Sequence, residues 1–147
     1  MEKILVVAAH PDDEILGCAG TLKRLINEGN EVYVLILSDG TTSRHEKLTK
    51  QVSEEIDTRL QHSLDAGEII GFKEMFFSQF SDNSFDKECL LNIVKVIERY
   101  IESIKPSIIF THHYGDLNID HQITFQAVQT ATRPFGEYSV REIYCFE

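Results

Sequence analysis

Histidine and carboxylate side chains are concentrated in two stretches that lie far apart in the chain. Residues 10–14, His-Pro-Asp-Asp-Glu, place one imidazole and three carboxylates within five positions. Residues 111–121 contain three histidines and two aspartates. Imidazole nitrogens and carboxylate oxygens are ligands that zinc accepts in proteins. The two stretches are therefore candidates for the two halves of one metal site.

The carboxylates of the first stretch have an alternative explanation as helix caps. Acidic residues at a helix N-terminus satisfy free N–H groups and face the positive end of the helix dipole. Capping has no use for the imidazole of His10, however. His10 and Asp13, three residues apart around a turn, can chelate one ion and leave Asp12 to point at a bound water. We therefore interpret this stretch as part of a metal site.

The second stretch supplies a further ligand candidate, His121. In isolation this histidine would be explained more simply as a surface or core residue. Its position after Asp120, at the start of a predicted helix, favours a ligand. Two histidines and one carboxylate, with a position left open, are typical of catalytic zinc, whereas structural zinc uses four protein ligands.

Alternating strands and helices must position these residues. Apolar runs predict buried parallel strands at residues 3–9, 32–37, 74–77, 107–111 and 140–146, and helical periodicity predicts helices at 14–28, 52–70, 87–104 and 120–132. This alternation predicts an α/β fold, a Rossmann-like, doubly wound three-layer sandwich with a mainly parallel five-stranded sheet. The spacings do not determine the order of the strands. Because ligands bind outside the carboxyl ends of such strands, we expect the two stretches to meet there.

Composition restricts the class of protein. The chain has 147 residues, of which 42% are hydrophobic, and this length predicts one domain. A net charge of −10 argues against binding to nucleic acid or to an anionic membrane surface, and no apolar run is long enough for a membrane span. Cys18, Cys89 and Cys145 form no C-x-x-C pair. We interpret them as reduced, buried thiols of a cytoplasmic protein.

The residue 10–14 turn and the Asp120-His121 pair together resemble the LmbE-like (PIG-L) family of zinc-dependent N-deacetylases. The similarity extends over nearly the whole chain, and other shared positions are Gly17, the Asp39-Gly40 turn, Arg59 and the strand 107–111. The resemblance implies an enzyme that uses Zn²⁺ to hydrolyse the acetamide of an N-acetylglucosamine-type sugar or its conjugate. By analogy only, it also suggests a homo-oligomer.

The resemblance also implies roles for individual residues. The metal ligands would be His10, Asp13 and His121. Asp12 would be the general base that activates water. Asp120 would orient or tune the site without binding the metal itself. Glu14 is explained most simply as a carboxylate in the first turn of a helix.

Two arginines are candidate substrate contacts. Arg59 corresponds loosely to an arginine that contacts substrate in relatives, and a solvated helix charge explains it equally well. Arg44, in the polar segment after the second strand, could hold a phosphate, although a polar loop is the simpler explanation.

The sequence departs from the family pattern at two places. Many members have His-Pro-Asp-His where this chain has Asn-Ile-Asp-His at residues 118–121. Asn118 can donate a hydrogen bond to an oxyanion but cannot release a proton at neutral pH, so the acid could be His112, His113 or a proton carried by Asp12. Family members also continue past the fifth strand. We therefore expect residues 1–147 to be a single LmbE/PIG-L-like deacetylase domain, from which the family's C-terminal part could be missing.

Two other classes of protein share parts of this pattern. A receiver-like signalling domain would use an acidic pair after the first strand and Thr111 to bind Mg²⁺, but Mg²⁺ prefers oxygen ligands and would leave His10 and His121 without a role. A nucleotide-binding Rossmann module would use Gly17 and Gly20. These glycines lie inside the predicted helix, and the sequence has no G-x-G-x-x-G, so close packing of helix on strand explains them better.

Overall fold

Strands and helices alternate along the chain in the computed structural model, which describes residues 1–45, 47, 49–134 and 138–147, without the side chain of Arg44. The strands are β1 (Lys3–Ala8), β2 (Glu31–Ser38), β3 (Glu74–Phe80), β4 (Ile108–His112) and β5 (Glu142–Phe146). The helices are α1 (Asp13–Asn27), α2 (Lys50–Ile70), α3 (Leu90–Ile104) and α4 (Ile119–Ala131). Short 3-10 turns are formed by Thr42–Arg44 and Phe85–Lys87.

The strands form one sheet in the order β3-β2-β1-β4-β5, and every pair of neighbours is parallel. The central strand β1 places Ile4 opposite Val32 of β2 and Ile108 of β4. The predicted α/β fold with a five-stranded parallel sheet is confirmed. This strand order is that of the first five strands of a Rossmann-type sheet, and it differs from the 2-1-3-4-5 order of receiver-type folds.

Helices cover both faces of the sheet because alternate side chains of a strand point to opposite faces. On one face, Leu5 and Val7 of β1 pack in a cluster with apolar residues of α3 and α4. On the other face, Ile4 and Val6 pack with Leu22 of α1. The central strand is therefore buried on both sides, and the turn that follows it emerges between the two helical layers.

The largest departures from the predicted boundaries are in β3 and α3, and one prediction of burial was wrong. β3 continues to Phe80, since its pairing with β2 extends to Ser38, and α3 begins at Leu90 because the preceding residues form a 3-10 turn. Cys18 is buried, but Cys89 and Cys145 are exposed. Cys89 precedes α3 as its N-cap residue, and Cys145 lies on β5 at the edge of the sheet.

The glycines of α1 differ in their surroundings. A Cβ atom at Gly17 would lie 2.3 Å from Cδ2 of Phe146, so the absence of a side chain lets α1 approach β5 closely. At Gly20 a Cβ atom would meet no described atom within 4 Å. Close helix packing thus explains Gly17 and does not explain Gly20. None of the helices in the described part of the chain has the length and apolar character that crossing a membrane requires.

Candidate metal centre

Polar turns at the carboxyl ends of β1, β3 and β4 meet at one edge of the sheet. His10 follows β1, and Asp13 is the first residue of α1. His121 lies in the first turn of α4, and 111 positions separate it from His10 in the chain. Parallel strands end at the same edge, so that residues distant in sequence become neighbours there.

One donor atom from each of His10, Asp13 and His121 faces a common point. Nδ1 of His10 lies 3.2 Å from Nε2 of His121 and 3.4 Å from Oδ2 of Asp13. The same Oδ2 lies 3.4 Å from Nε2 of His121. Ligands of one zinc ion at bond lengths of about 2.0–2.2 Å are roughly 3–3.5 Å apart. The donor set therefore fits zinc in both chemistry and spacing.

A carboxylate faces the other nitrogen of each of these imidazoles. Oδ2 of Asp120 lies 3.0 Å from Nε2 of His10, and Oδ2 of Asp116 lies 2.9 Å from Nδ1 of His121. Asp120 is fully buried, and its Oδ1 accepts a hydrogen bond of 3.0 Å from the backbone N–H of Phe85. Such carboxylates fix the tautomer and the orientation of metal-binding histidines.

Asp82 and Asp116 also belong to this site, although no sequence pattern predicted them. Oδ1 of the buried Asp82 lies 3.3 Å from Nε2 of His10, and its Oδ2 accepts a hydrogen bond from the hydroxyl of Ser43. The backbone N–H of Asp82 donates to Oγ1 of Thr42 at 3.0 Å. The available signal for Asp82 was its position just after a strand. Asp116 lay within the second polar stretch, but no spacing distinguished it.

Two further sets of described residues could also surround an ion. They are His112, Asp116 and His121, and His10, Asp82 and Asp120. Each set shares a histidine with the first, and its carboxylates already contact that histidine. If an ion is bound by the first set, the carboxylates of the other two sets orient the imidazoles that bind it.

Charge is tightly balanced among the buried groups. Burial alone would lower the pKa of His10, but its hydrogen bonds with Asp120 and Asp13 raise that pKa to about 9. Burial also opposes ionisation of Asp13, yet the neighbouring imidazoles, His10 foremost and also His121, hold the pKa of this carboxyl well below its usual range. Burial favours the neutral form of Asp116, whose pKa is lowered by hydrogen bonds from His121 and the backbone of Asn118. Carboxylates in this site thus contact protonated imidazoles. A bound metal ion would displace the protons from the imidazole nitrogens that it binds.

His112 lies beneath the three donors and is buried. Its Nε2 accepts a hydrogen bond of 2.9 Å from the backbone N–H of Ala9 and lies 3.3 Å from Oδ2 of Asp13. Its ring stacks on that of His121, with centroids 3.8 Å apart. Burial lowers the pKa of His112. An Nε2 that accepts an N–H bond carries no proton, so His112 is held neutral with its proton on Nδ1.

His113 points away from these groups. Its side chain is one-third exposed, and its Nδ1 accepts a hydrogen bond from the backbone N–H of Gly115 at 3.1 Å and lies 3.4 Å from Oε1 of Glu147.

Asp12 lies at the rim of the site, immediately before α1. Its φ of 110° is in the left-handed region, which costs a non-glycine residue about 1–3 kcal/mol. Its side chain is 55% exposed, and Oδ2 lies 3.1 Å from Nη2 of Arg59. Arg59, one of the two arginines predicted to contact substrate, thus lies beside the predicted general base. The other, Arg44, belongs to the 3-10 turn Thr42–Arg44, and its side chain lies outside the described residues.

Asn118 is the N-cap residue of α4. Its Oδ1 accepts hydrogen bonds from the backbone N–H groups of Asp120 and His121 at 2.8 Å and 3.4 Å. Its Nδ2 donates to Oδ1 of Asn83 at 3.1 Å. The residue that replaces a histidine of the family pattern therefore fixes the start of the helix that carries His121.

Glu14 lies in the first turn of α1, as the sequence suggested, and it is fully buried there. Its Oε2 accepts a hydrogen bond of 3.2 Å from the backbone N–H of Asp12. Its Oε1 is buried and has no hydrogen-bond partner among the described residues. Burial raises the pKa of Glu14 to about 7.

Comparison with protein families and with curated proteins gives a consistent set of relatives. The model of the family described as "PIG-L: GlcNAc-PI de-N-acetylase" matches residues 5–132. The uncharacterized deacetylase YaiS of Escherichia coli K12 is 27% identical over 135 residues, which cover 88% of this chain and 68% of that protein. Diacetylchitobiose deacetylase of Thermococcus kodakarensis is 31% identical over 108 residues, covering 67% and 38% respectively.

A third relative and a solved structure extend this set. Probable N-acetyl-alpha-D-glucosaminyl L-malate deacetylase 2 of Bacillus cereus is 30% identical over 134 residues, covering 87% of this chain and 60% of that protein. The chain thus spans 38–68% of the length of these three relatives. The conserved protein TT1542 from Thermus thermophilus superposes with a TM-score of 0.80 at 22% identity, over 99% of this chain and 66% of that one, which shows the shared fold.

Not all similar proteins are named deacetylases. GalB, the 4-carboxy-2-hydroxymuconate hydratase of Pseudomonas putida KT2440, superposes with a TM-score of 0.76 at 25% identity, over 100% of this chain and 66% of that one. The reaction of this chain must therefore be argued from its own site.

Proposed function

Because this chain belongs to the PIG-L family of GlcNAc-PI de-N-acetylases, we propose that it is a zinc-dependent hydrolase of an N-acetylglucosamine-type sugar or its conjugate. The observation that carries the proposal is the convergence of His10, Asp13 and His121, whose donor atoms lie 3.2–3.4 Å apart. The reaction would add water to the acetamide and release acetate and a free amino sugar. The names of the Bacillus and Thermococcus relatives support this class of substrate.

When bound, zinc would polarise the acetyl carbonyl and lower the pKa of the attacking water. His10, Asp13 and His121 would hold the ion, while Asp120 and Asp116 fix the two imidazoles from behind. Exposed at the rim, Asp12 would take the proton from the water during attack and deliver it to the nitrogen of the leaving amine. Arg59 orients Asp12 through its contact of 3.1 Å.

The structure favours Asp12 as the proton carrier over the other residues that sequence analysis considered. Nε2 of His112, the nitrogen that faces the site, already accepts a hydrogen bond from a backbone N–H and has no proton to donate. The side chain of Asn118 is used as the cap of α4. His113 lies beside Gly115 and Glu147. One carboxylate acting first as base and then as acid satisfies the proton balance of amide hydrolysis, because the proton removed from water is the one that the amine needs.

Release of acetate tests this function. Zinc-loaded protein is incubated with N-acetylglucosamine and its glycosides, and acetate is measured enzymatically. Asp12→Asn should retain zinc and lose about 10²–10⁴-fold in kcat. Asp57→Asn, an exposed position on α2, is the matched control and should keep wild-type activity. Absence of acetate with zinc-loaded wild type would contradict the function, and full activity of Asp12→Asn would contradict the assignment of the base.

Two further expectations accompany this function. The cysteine content suggested a cytoplasmic protein, and analogy with the family suggested a homo-oligomer. Both stay predictions, which cell fractionation and light scattering of the purified protein would test.

A further inference from the structure

The edge of the sheet formed by β5 has exposed side chains and one open side. β5 pairs with β4, and no strand in the described part of the chain pairs with its other side. Ile143, Tyr144 and Cys145 are all exposed. An open strand edge of this kind can pair with the backbone of another chain.

The backbone groups of β5 alternate between the two sides of the strand. The C=O of Phe146 accepts a hydrogen bond of 3.0 Å from the residue after β4, and the N–H of Glu142 donates one of 3.3 Å to the residue before β4. Because this direction reverses at each residue of a strand, Glu142, Tyr144 and Phe146 bond toward β4. Ile143 and Cys145 therefore direct their N–H and C=O groups toward the open side.

The composition of β5 favours pairing and lacks the residues that usually protect an edge. Natural edge strands are often interrupted by proline, lysine or a bulge. Residues 141–147, Arg-Glu-Ile-Tyr-Cys-Phe-Glu, contain no proline, glycine or lysine, and isoleucine, tyrosine and phenylalanine are enriched in strands. β5 also pairs with β4 without a shift of register. The open side of β5 is therefore suited to bind a further strand.

The charges at the two ends of β5 have opposite sign. Arg141 precedes the strand, Glu147 follows it, and both side chains are more than half exposed. A parallel pair of two such strands in register would place like charges opposite each other. An antiparallel pair centred on Tyr144 places Arg141 of each copy opposite Glu147 of the other, and such opposite charges stabilise a cross-strand pair. Arg141 also contacts Glu2 and Glu142 at 3.3 Å and 2.9 Å, and its five N–H donors are enough for a third carboxylate.

We propose that β5 is the interface at which two copies of this chain join, with their β5 strands antiparallel and a two-fold axis at Tyr144. This register pairs Ile143 of one copy with Cys145 of the other, so that their outward N–H and C=O groups bond to each other. Tyr144 faces its own copy across the axis. Because its ring already stacks on Phe110, with centroids 5.3 Å apart, a row of aromatic rings crosses the interface. Backbone groups, aromatic rings and charges thus favour the same register.

This association keeps the two candidate metal centres apart. Phe146 pairs with His112, so this end of β5 lies at the edge of the sheet that carries the centre. In the antiparallel arrangement, Phe146 of the second copy lies opposite Glu142. The two centres are then at opposite edges of the joined sheet, and the interface does not depend on the proposed function.

Sedimentation velocity tests association of the unmodified chain. Over a concentration series, the mass should change reversibly from that of one chain to twice that value in the micromolar range, because one pair of strands forms a small interface. Glu147→Arg, which would face Arg141 with a like charge, should raise the dissociation constant roughly tenfold or more. Glu68→Arg, at an exposed position of α2, makes the same change in net charge and should leave the dissociation constant unchanged.

Disulfide cross-linking tests the register. In a background of Cys89→Ser and Cys145→Ser, Tyr144→Cys places two thiols across the axis, where the Cα atoms of a non-hydrogen-bonded pair are about 4.5 Å apart. Mild oxidation should convert this variant to a covalent dimer. Ile143→Cys in the same background is the control and should stay largely without a cross-link. Its two copies are offset by two residues along the strand, which exceeds the Cα separation of about 7 Å that a disulfide can bridge.

The outcomes separate the interface from its alternatives. A chain that stays monomeric throughout the micromolar range would overturn the interface. A dimer that Glu147→Arg does not weaken, or that cross-links no better through position 144 than through position 143, would use another surface and would overturn the assignment to β5. Cross-linking is a gain of signal, and an unfolded variant would not give it selectively at one of two adjacent positions.

Discussion

Oδ2 of Asp120 lies 3.0 Å from Nε2 of His10, on the opposite edge of the imidazole from the Nδ1 that faces Asp13 and His121. The other oxygen of the same carboxylate accepts the backbone N–H of Phe85, in the 3-10 turn that precedes α3. A single buried side chain thus connects the orientation of a candidate ligand to the packing of a neighbouring element. Mutations at Asp120 should therefore change the binding of a metal ion more than they change the packing of the sheet.

Replacing Asp120 by asparagine should weaken zinc binding about 10–100-fold, because an amide supports the imidazole of His10 less well than a carboxylate does. Asp82→Asn should have a smaller effect, since Asp82 lies 3.3 Å from the same nitrogen and also bonds to Ser43. Affinity can be measured by competition with a chromophoric chelator at fixed pH. Equal zinc affinity in Asp120→Asn and wild type would show that the carboxylate does not support the ligand.

Metal analysis should find about one zinc per chain in wild type and almost none in His10→Ala or His121→Ala, because both remove a ligand of the same ion. His62→Ala, at an exposed position of α2, is the control and should keep the metal. The measurement is zinc content after dialysis by plasma mass spectrometry. Full zinc content in either ligand variant would remove that histidine from the set.

Alanine at the two glycines of α1 should have opposite effects on stability. At Gly17 the new Cβ atom would lie 2.3 Å from Cδ2 of Phe146, so we expect a loss of about 1–3 kcal/mol in the free energy of unfolding. At Gly20 the space is open, and we expect the free energy of unfolding to increase by about 0.5–1 kcal/mol, because alanine has a higher helix propensity than glycine. Urea unfolding of both variants measures these changes. A stable Gly17→Ala protein would mean that the ring of Phe146 moves aside at little cost.

The three thiols should differ in reactivity. Burial raises the pKa of Cys18 to about 12, so at pH 8 this thiol keeps its proton and lacks the nucleophilic thiolate form. Cys89 and Cys145 are exposed and should react with an aromatic disulfide reagent in the native protein. Spectrophotometric titration should therefore count two thiols in native protein and a third only in denaturant. Three fast thiols in the native state would contradict the burial of Cys18.

Elements with a regular side-chain period could be predicted from sequence, and the arrangement of those elements could not. The unbroken apolar run of β1 indicates a strand buried on both faces, and α3 repeats its apolar residues with the helical period. The order β3-β2-β1-β4-β5 has no such signal, because apolar burial is non-directional and several orders would bury the same strands. The end of β3 at Phe80 was missed for a related reason, since its pairing with Ser38 is a tertiary contact.

The same distinction applies within the candidate metal centre. His10, Asp13 and His121 were recognisable because their types and their positions at turns after strands suit ligands. Asp82 and Asp116 have no local pattern of their own, and they become site residues only through distances of 3.3 Å and 2.9 Å to imidazole nitrogens. The burial of Glu14 was likewise unpredictable from a position that usually faces solvent at the start of a helix.

The 111 positions between His10 and His121 give an ion at this site a second effect, as a non-covalent cross-link that closes most of the chain into a loop. The three donors are adjacent only in the native arrangement, so the binding free energy adds to the free energy of unfolding. At a free zinc concentration a thousandfold above Kd, this gain is about 4 kcal/mol. Melting temperature as a function of zinc thus offers an assay of the centre that requires no knowledge of the substrate.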